Sequence, residues 1–257
     1  MKKLSHLYLA LVFLILYLPI FYLIFYAFNA GGDMNGFTGF TLEHFGSLFD
    51  DSRLMLIVAQ TFFLAFLSAL LATVIGTFGA IYIHQRKRRH QESLLSLNNV
   101  LIVSPDVMIG ASFLIFFTIL QVDLGFASVL LSHIAFSIPI VVLMVLPRLK
   151  EMNMDMIHAA YDLGATQVQM LREIMLPYLT PAIIAGYFMA FTYSLDDFAV
   201  SFFVTGNGFS TLSVEIYSRA RQGISLEINA LSTLVFLFSI LLVIGYYFIS
   251  RDKEEQA

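Results

Sequence analysis

The chain contains no cysteine. Disulfide scaffolds, thiolate metal sites and cysteine nucleophiles are therefore excluded. Charge is scarce as well: Asp, Glu, Lys and Arg make up 12% of the 257 residues, about half the share of an ordinary globular protein. No G-x-x-x-x-G-K-[ST] phosphate loop occurs, so this chain is not expected to bind or hydrolyse ATP itself. There is no H-E-x-x-H pair, and no internal repeat of the kind that builds inverted-repeat carriers. Apolar side chains are what it has in abundance. Hydrophobic residues reach 59% and Phe alone occurs 26 times, more than one compact core can hide. That composition argues against a soluble domain. The net charge of −4 is small, and the placement of the charges says more than their sum.

Crossing a hydrocarbon layer about 30 Å thick takes roughly 20 helical residues. Five windows without Asp, Glu, Lys or Arg are long enough: Leu4–Gly32, Leu54–Gln85, Leu124–Pro147, Ile174–Leu195 and Ile228–Ser250. A sixth, Leu94–Leu120, is interrupted only by Asp106. Helices apolar all round belong in lipid or deep in a bundle, so six transmembrane helices are predicted in an all-α integral membrane protein. Lys2 and Lys3 before the first window also suit a secretory signal. The run is too long for one, and no small-x-small cleavage site follows it cleanly, so an uncleaved span is expected.

Basic residues set the orientation. With the N-terminus inside, the inner segments hold eleven Lys and Arg, and the outer ones only Arg53, Arg219 and Arg221. Both termini are therefore expected in the cytoplasm. The outer loops are then Asn29–Arg53, Gln121–Gly125 and Thr205–Glu227, and the inner ones His84–Ser93 and Pro147–Pro177. The predicted organisation is a first span with its outer loop (1–53), a core membrane domain (54–250) with a cytoplasmic loop at 148–177, and a cytoplasmic tail (251–257). The run Arg86-Lys87-Arg88-Arg89, between His84 and His90, has the composition of a nucleic-acid patch. Its place directly after a span makes it an orientation signal and a contact for anionic membrane lipid, and no nucleic-acid partner is expected.

The inner loop is patterned. Asp155 is placed to cap a short helix through His158-Ala159-Ala160, and Gly164 stands where a left-handed C-terminal residue is wanted. Thr166 and Gln169 form a capping box for a second helix, and Pro177 is expected to break or kink it. The central alanines let another surface approach the backbone closely, as a docking segment requires.

The pattern His158-Ala159-Ala160, three residues, Gly164, nine residues, Ile174-x-Leu176-Pro177 resembles the EAA loop of ABC-importer permease subunits. It matches every spaced position except the first, where that family has Glu. The resemblance implies the type I importer (MetI-like) permease fold. It also implies that His158, Ala159, Ala160, Gly164, Ile174, Leu176 and Pro177 form a coupling segment seated on a separate ATPase. ATP and Mg would be bound by that partner, with no cofactor and no catalysis in this chain. His158 is a physical departure, because a carboxylate near a helix N-terminus is favoured by the dipole and pairs with a base, whereas imidazole does neither by default. Either Ala159, Ala160 and Gly164 carry the shape alone, or the partner compensates.

A second likeness narrows the family. Ser194-Leu195-Asp196-Asp197-Phe198 with Ser201-Phe202-Phe203-Val204-Thr205-Gly206 is similar to the fifth span of spermidine/putrescine permeases. So are Ser104-Pro105-Asp106 and Glu227-Ile228-Asn229-Ala230-Leu231. This resemblance implies polyamine import across a bacterial cytoplasmic membrane. The implied partners are a second homologous permease, two ATPase subunits and an extracytoplasmic polyamine-binding protein.

Acids inside a membrane are expensive and face a cavity or pathway. On straight helices starting near Ser93 and Leu179, Asp106 lies 13 residues in and Asp196 17 residues in, about 20 and 25 Å. A chain of ammonium groups needs spaced carboxylates, and Tyr193, Phe198 and Phe202 offer cation–π contacts. The candidate substrate path is therefore Asp106, Tyr193, Asp196, Asp197, Phe198 and Phe202. A plainer reading has Asp106 capping a helix that resumes beyond Pro105. Asp196 and Asp197 point about 100° apart on a helix and do not both face one pore. His133, the one histidine well inside a predicted span, is expected to hydrogen-bond within the bundle. Glu215, Tyr217, Arg219 and Arg221 lie in an outer loop, either as a docking face for a binding protein or as solvated charge. Rival functions are an importer permease for ferric iron or an oxyanion, a stand-alone ion-coupled carrier, and an intramembrane hydrolase. Intramembrane acids speak against the oxyanion.

Overall fold

A computed structural model describes residues 2–222 and 226–254. Residues 223–225 of the predicted outer loop and 255–257 of the predicted tail lie outside the described residues. In chain order the helices are α1 (Lys2–Ala27), α2 (Glu43–Asp50), α3 (Ser52–His84), α4 (Arg88–Val103), α5 (Asp106–Ile119) and α6 (Phe126–Glu151). Next come α7 (Met154–Asp162), α8 (Gln167–Gln169), a π-helical stretch at Met170–Met175, and α9 (Leu176–Asp196). The last are α10 (Ala199–Val204), α11 (Leu212–Gln222) and α12 (Leu226–Glu254). Among the described residues the only β pairing is a bridge between Asn29 and Phe40. The chain divides into two compact units, residues 1–56 with 215–257, and residues 57–214.

In the first unit α12 packs against α1 and α2. Helix α1 has no polar face, and side chains such as Leu7 and Leu16 stay about two-thirds exposed, at 65% and 64%. Such a surface suits hydrocarbon, not water. The loop after α1 is organised by Asn29, which is wholly buried. Its amide donates to the carbonyls of Asp33 and Gly36 at 3.0 and 2.9 Å and its oxygen accepts from the Thr38 N–H at 2.8 Å.

In the second unit the packing follows small residues. Ala65, Ala69, Ala72 and Ala80 of α3 have no exposed surface, and with Gly76 they recur at three- and four-residue spacing on one face. A Cβ on Gly76 would lie 2.7 Å from the Val141 Cβ, so α3 and α6 approach nearly backbone to backbone. Between helices in lipid, where apolar transfer drives little, such close contact is the main source of cohesion. Around it Val141, Val145, Leu149 and Leu179 form one buried cluster, and Leu64, Ile109, Phe117, Val129, Phe136, Val200 and Val204 a second.

Two expectations are corrected here. The Leu94–Leu120 window does not form a straight helix, because α4 and α5 meet at 102°. Pro105 drives Ser104 out of the helical region, to φ −68° and ψ 139°. The rise of 13 residues assigned to Asp106 therefore does not hold. Pro177, by contrast, breaks nothing: it sits at the second position of α9, and the π-helical stretch before it carries the helix through the missing N–H. Among the described residues four helices are long and apolar enough to cross a membrane, or five with the bent α4–α5 pair as one crossing. The 29-residue α12 contributes a further apolar helix at Leu226–Leu241.

Candidate functional site

Gly110 sets up the first part of the site. A Cβ there would lie 2.8 Å from Phe203 and 3.0 Å from the Ala199 carbonyl, so only glycine lets α5 lie this close to α10. One turn earlier on α5, Asp106 accepts a hydrogen bond from the Tyr193 hydroxyl of α9 at 2.9 Å. Asp106 is exposed and Tyr193 is 38% exposed. The Tyr193 ring packs edge-on against Phe136, with centroids 5.0 Å apart. Asp106 is the first residue of α5, with Pro105 at the cap and no side-chain capping bond, so its carboxylate is left for Tyr193.

Asp196 and Asp197 diverge. Asp196 ends α9, is exposed, and has no hydrogen-bond or ion-pair partner among the described residues. Asp197 leaves the helix with ψ 123°, and its side chain is 7% exposed. Its two oxygens accept from the Val200 and Ser201 N–H groups at 3.2 and 2.7 Å, capping the first turn of α10. The pair was expected to point 100° apart on one helix, and instead the helix ends between them. Phe198 and Phe202 follow, with ring centroids 5.4 Å apart and Phe202 45% exposed.

Behind Asp197 lies the hydrogen bonding expected of His133, with partners that the sequence does not identify. His133 of α6 is fully buried, with Nδ1 2.7 Å from Ser194 Oγ, Nε2 3.0 Å from Ser201 Oγ and 3.5 Å from the Asp197 carboxylate. Ser194 Oγ is also 2.9 Å from Ser68 Oγ of α3. Four helices and the α9–α10 elbow thus share one chain of hydrogen bonds. A serine, a histidine and an acid are present, as a hydrolase would need. However, Ser194 is 2% exposed and its oxygen is engaged on two sides, so no substrate carbonyl can reach it. The available signal was Ser68, His133 and Ser194, polar residues inside uncharged windows where each must find a partner.

The segment at 148–177 is built from local chemistry. Asn153, not Asp155, caps α7, its side chain accepting from the Asp155 N–H at 2.8 Å. At the other end Gly164 has φ +83°; its N–H bonds the Tyr161 carbonyl at 2.9 Å, and the Ala165 N–H bonds the Ala160 carbonyl at 3.0 Å. That pair of bonds is a Schellman closure, which requires a left-handed residue at position 164. The capping box of Thr166 and Gln169 forms. Ile157 and Ala160 are buried and anchor α7, while His158 and Ala159 are exposed and Leu163 is 90% exposed. Of the distal positions, Ile174 packs into the first core cluster, Leu176 is half-buried and Pro177 exposed.

Residues 72–252 match the family described as binding-protein-dependent transport system inner membrane component. The chain belongs to that family. It is 37% identical over 244 residues to the spermidine/putrescine transport system permease protein PotC of Escherichia coli K12, covering 95% of this chain and 92% of that one. With the putrescine transport system permease protein PotI of the same strain it shares 33% identity over 256 residues, 96% and 91% of the two chains. Among solved structures, a bacterial ABC transporter involved in alginate import has the same fold, with a TM-score of 0.76 at 16% identity over 97% of this chain and 95% of that one.

In this transport-system inner membrane component several charges of the predicted outer loops are paired. Arg219 bonds Asp51 at 2.7 Å and Glu215 at 2.9 Å, and Arg53 reaches Glu215 at 3.4 Å. Arg221 lies over the Tyr217 ring at 5.9 Å. Arg219 holds the Asp51 carboxyl below its ordinary value, helped by the Leu54 N–H and opposed by burial.

Proposed function

We propose that this chain is a non-catalytic permease subunit of an ATP-driven polyamine importer, spanning a bacterial cytoplasmic membrane six times with both termini in the cytoplasm. In this reading α4–α5 is one bent crossing and α12 the sixth. The chain pairs with a second homologous permease to form the path. The exposed face of α7, with His158, Ala159 and Leu163, seats on one of two ATPase subunits that bind ATP and Mg. An extracytoplasmic polyamine-binding protein delivers the substrate, and this chain carries no cofactor of its own.

One observation carries the substrate class: Asp106 and Asp196 are exposed carboxylates on otherwise apolar helices. Facing lipid they would be strongly unfavourable, so they belong on a polar path in the assembled transporter. There they can replace the hydration of ammonium groups, with Tyr193 orienting Asp106 and Phe202 offering a ring face. Asp197 serves this path indirectly, by holding the elbow. An oxyanion would meet the wrong charge along the same surface.

The test is ATP-dependent uptake of labelled spermidine and putrescine by the reconstituted assembly, with molybdate and iron as controls. Asp196→Asn should lower polyamine uptake while the complex still assembles. Full transport by the Asp106→Asn, Asp196→Asn double variant would end the polyamine reading. Transport by the purified chain alone, driven by a proton gradient, would point to a carrier.

A further inference from the structure

A cavity of about 240 Å³ lies between α4 and α6, away from the acids of the path. Its walls are Leu95 of α4 and Leu143, Leu146 and Pro147 of α6, with Asn98, Asn99 and Lys150 as polar lining. On α6 these residues recur along one face, from Val142 to Lys150, a rise of about 12 Å. It is therefore an apolar trough that ends in an ammonium group.

That ammonium group has no counter-charge. Lys150 is exposed and pairs with no carboxylate among the described residues. Its neighbour Arg148 is already committed, bonding Glu151 at 3.3 Å and lying 4.3 Å over the Tyr178 ring. His84 in the last turn of α3 lies within electrostatic reach of Lys150 and supplies no negative charge to it. The run Arg86–Arg89 follows directly. Pro147 also has no N–H, so the carbonyl of Leu143 on the same face loses its helical donor and can accept one from elsewhere.

We infer that this trough binds an anionic phospholipid, with an acyl chain along Leu95, Leu143 and Leu146 and the phosphate on Lys150. The charge complementarity selects an acidic headgroup, and the apolar walls select a lipid over free phosphate. This site depends on the proposed function only for the leaflet it faces, which is the cytoplasmic one.

The experiment is native mass spectrometry of the assembled transporter, purified and then exposed to phosphatidylglycerol, to phosphatidylcholine of the same acyl chains, or to inorganic phosphate. Phosphatidylglycerol should be retained on this chain, and Lys150→Gln should weaken that retention about tenfold, the consequence of one lost charge-assisted contact. Lys150→Arg should restore it. Leu143→Trp, which fills the trough and leaves the charge, should displace the lipid. Equal retention of phosphatidylcholine, or displacement of the lipid by phosphate alone, overturns the site, and both are read on the unaltered protein. So does a Leu143→Cys variant that cross-links to the second permease, because the chain has no other cysteine and the trough would then be a subunit contact. None of these readouts involves transport, so a failed polyamine assay leaves them standing.

Discussion

Asp196 and Asp197, joined by one peptide bond at the α9–α10 elbow, meet opposite surroundings. Asp197 is buried, and its carboxylate is consumed by two backbone N–H groups with His133 at 3.5 Å. Asp196 is exposed, and nothing among the described residues engages it. The same contrast separates larger regions. The Ser68–Ser194–His133–Ser201 chain satisfies itself inside the bundle, whereas Asp196 and the exposed face of α7 have no such internal partners among the described residues and Asp106 has only the Tyr193 hydroxyl. A polar group spent internally contributes to the fold. One left exposed on an apolar scaffold is free to serve the proposed path or the proposed coupling contact.

The sharpest way to break that division is Asp197→Ala. It strips the α10 N–H groups of their acceptor and leaves His133 without its neighbouring charge, so a loss of about 2–4 kcal/mol of stability is expected. Thermal unfolding of the purified complex would register it, together with poor assembly. Asp196→Ala should stay within about 0.5 kcal/mol of the parent in the same measurement. Equal destabilisation by the two would mean that exposure does not distinguish their roles. Gly164→Val comes next. A β-branched residue held at φ +83° costs about 1–2 kcal/mol, and the strain falls on the Schellman closure that ends α7. The ratio of polyamine taken up to ATP hydrolysed should fall further than overall stability does. A variant that unfolds globally yet couples normally while folded would contradict a coupling role for this turn.

Tyr193→Phe asks for a smaller effect. It removes one hydrogen bond to an exposed carboxylate, where water can substitute, so unfolding should hardly change. Uptake should require about two- to tenfold more substrate for half-maximal rate, because Asp106 is no longer held in one orientation. An unchanged half-saturation would separate Asp106 from the path.

What could be read from residues alone followed the range of the physics. Four of the uncharged windows formed helices long and apolar enough to span, and the turn at Gly164 and the Thr166–Gln169 box, which depend on a few neighbouring side chains, formed as well. Even locally, competition misleads: Asn153 offers the same acceptor as Asp155 two residues earlier, and the helix starts at Met154, so Asn153 is the cap. The Ser104-Pro105 pair signals a break, but its 102° bend depends on how α4 and α5 pack against different neighbours. Ser68 and Ser194 are 126 positions apart, and no periodicity announces that pairing. Asp197 was hidden by its neighbour, since two adjacent acids look like one feature until the helix is seen to end between them.

The smallest expected effect lies at the Arg219 ion pairs and runs with pH. Arg219 keeps the Asp51 carboxyl below its ordinary value of 3.8 by hydrogen bonding, with the Leu54 N–H adding to it. Because the folded value is the depressed one, the unfolded chain binds the proton more readily, and stability rises with pH through that window. The contribution is fully present above 3.8 and disappears as pH falls through the folded value. Stability should therefore be flat with respect to this pair from neutral pH down to about pH 5 and decline only below it. The pair is partly exposed, 24% and 31% at the two side chains, so solvent screens it and the decline should be shallow. Arg219→Gln should flatten that acid limb without touching polyamine uptake at neutral pH. A steep acid limb that survives Arg219→Gln would shift the origin to the buried Asp197–His133 network, and with it the dividing line between the two kinds of acid.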